Sequence, residues 1–232
     1  MKTRKLALNL LVLLALVLLG AACQEPLPPS KRPTWQPQRV AVLPFQVVAP
    51  DPNRGGVSSS PLTGAVYSGT KDKMAPGAVS TLTQALMDIL DKKASFALVP
   101  PDQAGTVFIR LKREMMGRPL AEIVALTGKQ LGADAVLVGY VYRYRELVGG
   151  PMAASQPASV AFDLCLLRVS DQSVIWKNSF DQTQRPLTEN ILKMGQYLEH
   201  GMRWFPVAQF ARIGMAQLMR SFPWFAPAES GQ

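Results

Sequence analysis

The alternation of apolar and polar positions is most legible over residues 131–146, LGADAVLVGYVYRYRE. Val136, Val138, Tyr140, Tyr142 and Tyr144 share one face at period two, and Leu137, Val141, Arg143 and Arg145 share the other. This predicts a strand buried on both faces at its start, whose arginines carry its far end out into solvent. Residues 39–45, RVAVLPF, predict a first strand with Val40 and Val42 opposite Ala41 and Leu43, stopped by Pro44. A short strand over 96–99 is closed by Pro100 and Pro101. Residues 159–169 place Val160, Phe162, Leu164 and Leu166 on one face and predict a hairpin partner for the central strand. A tight turn at 170–173 leads into a last strand over 174–181, where Val174, Trp176 and Phe180 alternate with Lys177, Ser179 and Asp181, leaving one solvated face.

Helical spacing governs the intervening stretches. Val79, Leu82, Leu86, Ile89 and Leu90 recur at three and four across 76–93, with Pro76 suited to a first turn. Ile123, Val124, Leu126 and Leu131 mark a helix over 120–131 that ends near Gly132. Residues 102–117 read as strand or helix, with helix the expectation. Two further helices are expected over 185–200 and 207–221, the second carrying Phe210, Ala211, Gly214, Leu218 and Phe222 on one side. Residues 46–75 have no clear period, apart from a small turn unit around Gly64, and 147–157 is a turn region. Together these predict an α/β (α+β) single domain. Its mixed sheet has helical crossovers between the early strands, then an antiparallel meander over 135–181, with helices mainly on one face.

The N-terminus follows different rules. Lys2, Arg4 and Lys5 precede an apolar run over 6–19 broken only by Asn9, then Gly20, Ala21, Ala22 and Cys23. The run falls short of the ~20 residues that span a bilayer and is followed by small residues, as in an export signal. Residues 24–38 hold five prolines and no apolar periodicity, and read as an extended tether reaching up to ~45 Å in polyproline form. The expected division is a signal peptide at 1–22, a lipidated Cys23 with its tether to 38, a globular domain at 39–225 and a polar tail at 226–232.

Charge changes this picture little. The net charge of +9 becomes +6 once the three basic residues of the signal are removed. That excess suits anionic headgroups or acidic partners, whereas nucleic acid is a poor fit for an exported protein. Of the two cysteines, Cys23 has its use in lipidation, so no disulfide is expected.

The chemistry-bearing residues are sparse. His200 is the single histidine and reads as a surface residue; no serine stands in a Gly-x-Ser-x-Gly turn. Cys165 lies among Leu164, Leu166 and Leu167 with no basic neighbour in sequence, the setting of an inert core thiol. Asp163 is a carboxylate in an otherwise apolar strand, and reads as a salt-bridged or solvated residue before a catalytic acid. No metal ligand set or cofactor motif is found. Two features suit binding instead: the tyrosines of the central strand beside Arg143 and Arg145, and the aromatic set Trp204, Phe205, Phe222, Trp224 and Phe225. Sheet packing and a docked C-terminal helix explain them equally well.

Gly-Ala-Ala-Cys resembles a bacterial lipobox, with Gly20 where Leu is usual. The resemblance implies a diacylglyceryl cysteine as the mature first residue and, with Gln24 in place of Asp after it, passage to the outer membrane. RVAVLPF, LGADAVLVGYVYRY and VAFDLCLLRVSDQSVIWKNSFD resemble the envelope lipoproteins built on the TolB N-terminal-domain fold. That group includes the curli-secretion lipoprotein CsgG and the lipoprotein activators of penicillin-binding proteins. The resemblance is structural and implies no catalytic residue and no cofactor.

The expectation is a non-catalytic binding or scaffolding lipoprotein on the periplasmic face of the outer membrane. It is held by its lipid and engages an envelope protein or further copies of itself, without nucleic acid. A subunit of a CsgG-type secretion channel and a glycan-acting enzyme using Asp163 are the alternatives. The expected contact is the tip of the hairpin after the central strand, with Tyr144, Arg145, Gly149, Gly150, Pro151 and Met152, and with the 46–75 insert as a second contact.

Overall fold

The computed structural model describes residues 35–68, 74–150, 153–184 and 204–225. The expected lipidation site Cys23, the helix expected over 185–200 with His200, the hairpin residues Pro151 and Met152, and the tail at 226–232 lie outside them.

Five strands form the main path of one sheet in the order β10-β9-β6-β1-β5: β1 (Arg39–Val42), β5 (Ala97–Val99), β6 (Ala135–Arg145), β9 (Ser159–Arg168) and β10 (Val174–Thr183). β1 pairs parallel with both β5 and β6, whereas β9 pairs antiparallel with both β6 and β10. The α/β fold with a mixed sheet and a terminal meander is therefore as the periodicity predicts. Pro44 has no N–H to offer the ladder, and the chain resumes beyond it as β2 (Gln46–Val47), which pairs parallel to Tyr140 and Val141 of the same neighbour.

The helices correct one expectation, because they cover both faces of the sheet and not mainly one. Helix α1 (Ala78–Lys93) and helix α4 (Val207–Met219) pack on the face carrying Val40, Val42, Leu137, Leu164 and Leu166. Helices α2 (Pro101–Glu114) and α3 (Leu120–Gln130) pack on the opposite face, with Ala41, Leu43, Val136, Val138 and Leu167. The reason is topological. The chain crosses from β1 to β5 on one side through α1, then returns past β1 to β6 through α2 and α3. Parallel crossovers keep one hand, so reversing direction puts the second connection on the other face.

Local sequence explains the elements. Gly77 turns the chain at φ +81° before α1, and Lys92 and Lys93 complement the dipole in its last turn. The ambiguous stretch is the helix α2, with Pro101 at its start, Asp102 in its first turn and Lys112 and Arg113 in its last. After α3, Asp134 Oδ2 accepts from the backbone N–H of Gln38 (2.8 Å) and Arg39 (2.9 Å), tying the turn before β6 to the start of β1. In β6 a glycine is required by packing: a Cβ on Gly139 would stand 2.5 Å from Phe45 Cζ, so the ring lies directly on the strand.

The described residues of the 46–75 insert form regular structure. After β2 and a short 3-10 turn it forms the hairpin β3 (Val57–Ser59) and β4 (Val66–Ser68). Tyr67 of that hairpin is buried on the α2–α3 face of the sheet, among residues of β6 and β9. A second small hairpin, β7 (Val148–Gly150) with β8 (Ala153–Gln156), leaves the end of β6 and pairs with itself.

Candidate functional site

A β-bulge decides what β6 presents. The register with β9 shifts between Val141 and Arg143, so Tyr142 is the extra residue and the alternation inverts after it. Tyr140 and Tyr142 face α2 and α3, whereas Tyr144 joins the core under α1 and α4. The five-residue face expected from period two is therefore broken at its end. Arg143 does not emerge into solvent either: it is buried, its Nε donates to Ser159 Oγ at 2.7 Å and its Nη1 to the Ser68 carbonyl at 2.7 Å, and its Nη2 pairs with Asp181.

Arg143 shares its face with a buried polar cluster centred on Asp163, which is 3% exposed. Tyr67 reaches down from β4, stacks on Tyr142 with ring centroids 4.1 Å apart, and donates its hydroxyl to Asp163 Oδ2 at 3.4 Å. Burial pushes the Asp163 carboxyl above its ordinary range; the nearby hydroxyls of Ser60, Tyr142, Tyr67 and Thr63 oppose this. Of these, the Tyr67 hydroxyl closes the hydrogen bond, and Asp163 Oδ1 has no partner among the described residues. Burial, then the negative charge of Asp163, push the Tyr67 phenol up to about 12. Burial likewise raises Tyr140, Tyr142 and Cys165. Asp163 is thus neither the solvated nor the salt-bridged residue expected. It is a carboxyl roofed by the insert, and the thiol of Cys165 is held in the inert protonated form.

The residues expected to meet a partner separate. Tyr144 is 1% exposed and offers no surface, which removes it from that role. Arg145 is half-buried, Gly149 is exposed, and Val148 beside it is 51% exposed. Glu146, not among the expected residues, ties the base of this hairpin to α4 by accepting at Oε1 from the N–H of Val207 at 3.0 Å. In the aromatic set, Phe222 and Trp224 are buried, edge-on to one another, and Trp224 Nε1 donates to the Trp35 carbonyl at 2.9 Å. These two side chains dock the C-terminal segment on the core.

A cleft of about 500 Å3 opens between β2, the segment after it and the α2–α3 connection, lined among others by Val47, Lys112, Met115, Met116, Arg118 and Tyr140. Sequence reading missed it. Its one outward sign is the pair Met115-Met116 before Gly117, apolar residues in a loop. Among the described residues no cluster of His, Cys, Asp and Glu could hold a metal ion, and no helix is long and apolar enough to cross a membrane.

No family model and no curated protein matches this sequence. Solved structures similar to the chain include a PelC dodecamer from Paraburkholderia phytofirmans, 14% identical over 82% of this chain and 90% of that one, with a TM-score of 0.46. The lipoprotein GNA1162 from Neisseria meningitidis is 14% identical over 70% and 97%, with a TM-score of 0.39. The LpoB C-terminal domain from Escherichia coli is 14% identical over 65% and 87%, with a TM-score of 0.36. The structures that resemble this chain therefore include a bacterial lipoprotein.

Proposed function

We propose that the chain is a non-catalytic binding or scaffolding lipoprotein of the TolB N-terminal-domain-like, CsgG-like group. It is anchored through Cys23 to the outer membrane and faces the periplasm. The observation that carries the binding role is the β7–β8 hairpin: it pairs with itself outside the main sheet, presents Val148 at 51% exposure, and is braced at its base by Glu146 on α4. A braced, outward, partly apolar hairpin suits recognition of an envelope protein or of a second copy. The N-terminal apolar run, Cys23 and the proline-rich tether support the anchor.

The two alternatives draw less support. A hairpin that lines an outer-membrane pore needs ~9 to 11 residues per strand, whereas β7 and β8 have three and four, and Tyr67 of the β3–β4 hairpin is buried against the sheet. A glycan-acting acid must reach its substrate, and Asp163 lies beneath Tyr67.

Mass spectrometry of the mature N-terminus tests the anchor: a diacylglyceryl Cys23 is expected, and an unmodified Cys23 or a retained Met1 refutes it. Crosslinking in intact envelopes tests the hairpin. Deleting residues 149–155 should leave lipidation and thermal stability unchanged and lose specific crosslinks, and an unchanged crosslink pattern and oligomer size would refute the contact.

A further inference from the structure

The cleft between β2 and the α2–α3 connection carries an assignment separate from the hairpin. Three observations meet there. Its walls are mostly apolar, with Met115, Leu120 and Ile123 behind and Val47 and Met116 as exposed lips. The charged residues in its lining are Lys112 and Arg118, with no carboxylate among them. Arg118 is shared with Glu122 at 2.5 Å, but Lys112 is exposed and has no carboxylate within ion-pair distance among the described residues. Third, Tyr140 lines the cleft from the sheet side at 1% exposure, and its hydroxyl has no hydrogen-bond partner among the described residues.

An unpartnered buried hydroxyl is costly. A ligand that pays this back must bring an acceptor, and the cations ask that the acceptor be negative. The remainder of the ligand must be apolar. We propose that this cleft binds a fatty acid, its chain along Met115, Leu120 and Ile123 and its carboxylate accepting from Tyr140 and pairing with Lys112. A volume of about 500 Å3 lies within the ~300–1,000 Å3 of small-ligand sites. A bound peptide fits less well, because it brings a carbonyl and an N–H at every residue, and Gln46 is the single amide side chain in the lining.

The test uses the lipidated protein in its own envelope, treated with a photoactivatable ten-carbon chain ending in a carboxylate, an alcohol or a trimethylammonium group, followed by peptide mapping. The carboxylate probe should label residues 112–123 preferentially. Tyr140→Phe, which keeps the ring, should lower that labelling at least about tenfold, the scale of losing a hydrogen bond to a charged group, and should not lower the melting temperature. Lys112→Met, at an exposed lip, serves where Tyr140→Phe disturbs folding, and should reduce labelling by the carboxylate probe alone. Equal labelling by all three head groups, labelling elsewhere on the protein, or labelling unaffected by both variants overturns the assignment.

Discussion

Tyr67 lies almost flat on Tyr142, 11° from parallel, although 75 positions of chain separate them and one belongs to the insert and the other to the longest strand of the sheet. This stack, with the Tyr67 hydroxyl on Asp163, turns an aperiodic stretch into part of the core. Tyr67→Ala should cost about 3 kcal/mol, the scale of deleting a buried aromatic ring, and should expose the insert to protease. Tyr67→Phe keeps the stack and loses the hydrogen bond to Asp163, at about 1 kcal/mol. Urea unfolding of the two variants separates these contributions, and equal losses would mean that stacking contributes nothing.

Asp163 predicts a pH dependence of definite sign. Its folded-state carboxyl is raised above the ordinary 3.8, chiefly by burial. The native state therefore binds more protons than the unfolded chain between 3.8 and the raised value. The stability from this group is complete below 3.8 and is lost as pH rises through the folded pKa. Asp163→Asn cannot titrate, so it should lack this loss, and its advantage over the parent should widen from pH 4 upward until the native carboxyl is ionised. Urea midpoints across pH 4–8 measure the difference, and a constant gap would exclude titration of Asp163 as its source.

Gly139 is fixed by its neighbour. A methyl there would meet three atoms of the Phe45 ring at 2.5 to 2.7 Å, so Gly139→Ala should destabilise the fold by ~1–3 kcal/mol through overpacking. Adding Phe45→Leu, whose smaller side chain vacates the ring edge, should recover part of that loss. A double-mutant cycle checks the coupling, and strict additivity would show that the ring does not set the limit.

These residues also show where the sequence is readable. Val136 and Val138 on one face and Leu137 on the other report double burial because a strand has a fixed period, and the helices are legible for the same reason at their own spacing. The bulge at Tyr142 was not legible, since one inserted residue leaves the composition unchanged while moving Tyr144 to the opposite face. The insert hid Tyr67 because strands of three residues are too short to establish a period. The cleft depends on Tyr140, Val47 and Met115 meeting from three elements, a relationship that no local pattern carries. The helix end near Gly132 is legible, but the hold of Asp134 on β1, 95 positions away, belongs to the fold.

That hold is testable. Asp134→Ala removes the acceptor of two backbone N–H groups at an exposed site and should cost about 1 kcal/mol. Asp134→Asn retains a carbonyl acceptor and should recover most of it. Hydrogen exchange at Gln38 and Arg39 should accelerate in the alanine variant before exchange elsewhere in β1 does; unchanged protection there would remove Asp134 as the anchor.

Arg143 joins several elements, because the bulge turns it inward where strict alternation would have turned it out. From β6 its guanidinium reaches Ser159 on β9, Asp181 on β10 and the carbonyl of Ser68 at the end of β4 in the insert. Asp181 is more than a third exposed, so water screens that pair, and the full cost of breaking a buried ion pair does not apply. Arg143→Met preserves the apolar stem and leaves the Ser68 carbonyl and Asp181 to find water, at about 2 kcal/mol. Arg143→Lys keeps the charge but replaces a planar fork with a compact ammonium that cannot serve three directions at once. It should recover less than half of the loss. The two variants should also differ from Tyr67→Ala in where they fail: loss of the Ser68 contact frees the end of β4 while Tyr67 remains stacked, so protease should cut after Ser68 before it cuts near Gly64. Cleavage in the reverse order, or an Arg143→Lys variant as stable as the parent, would show that the guanidinium fork does not fasten the insert.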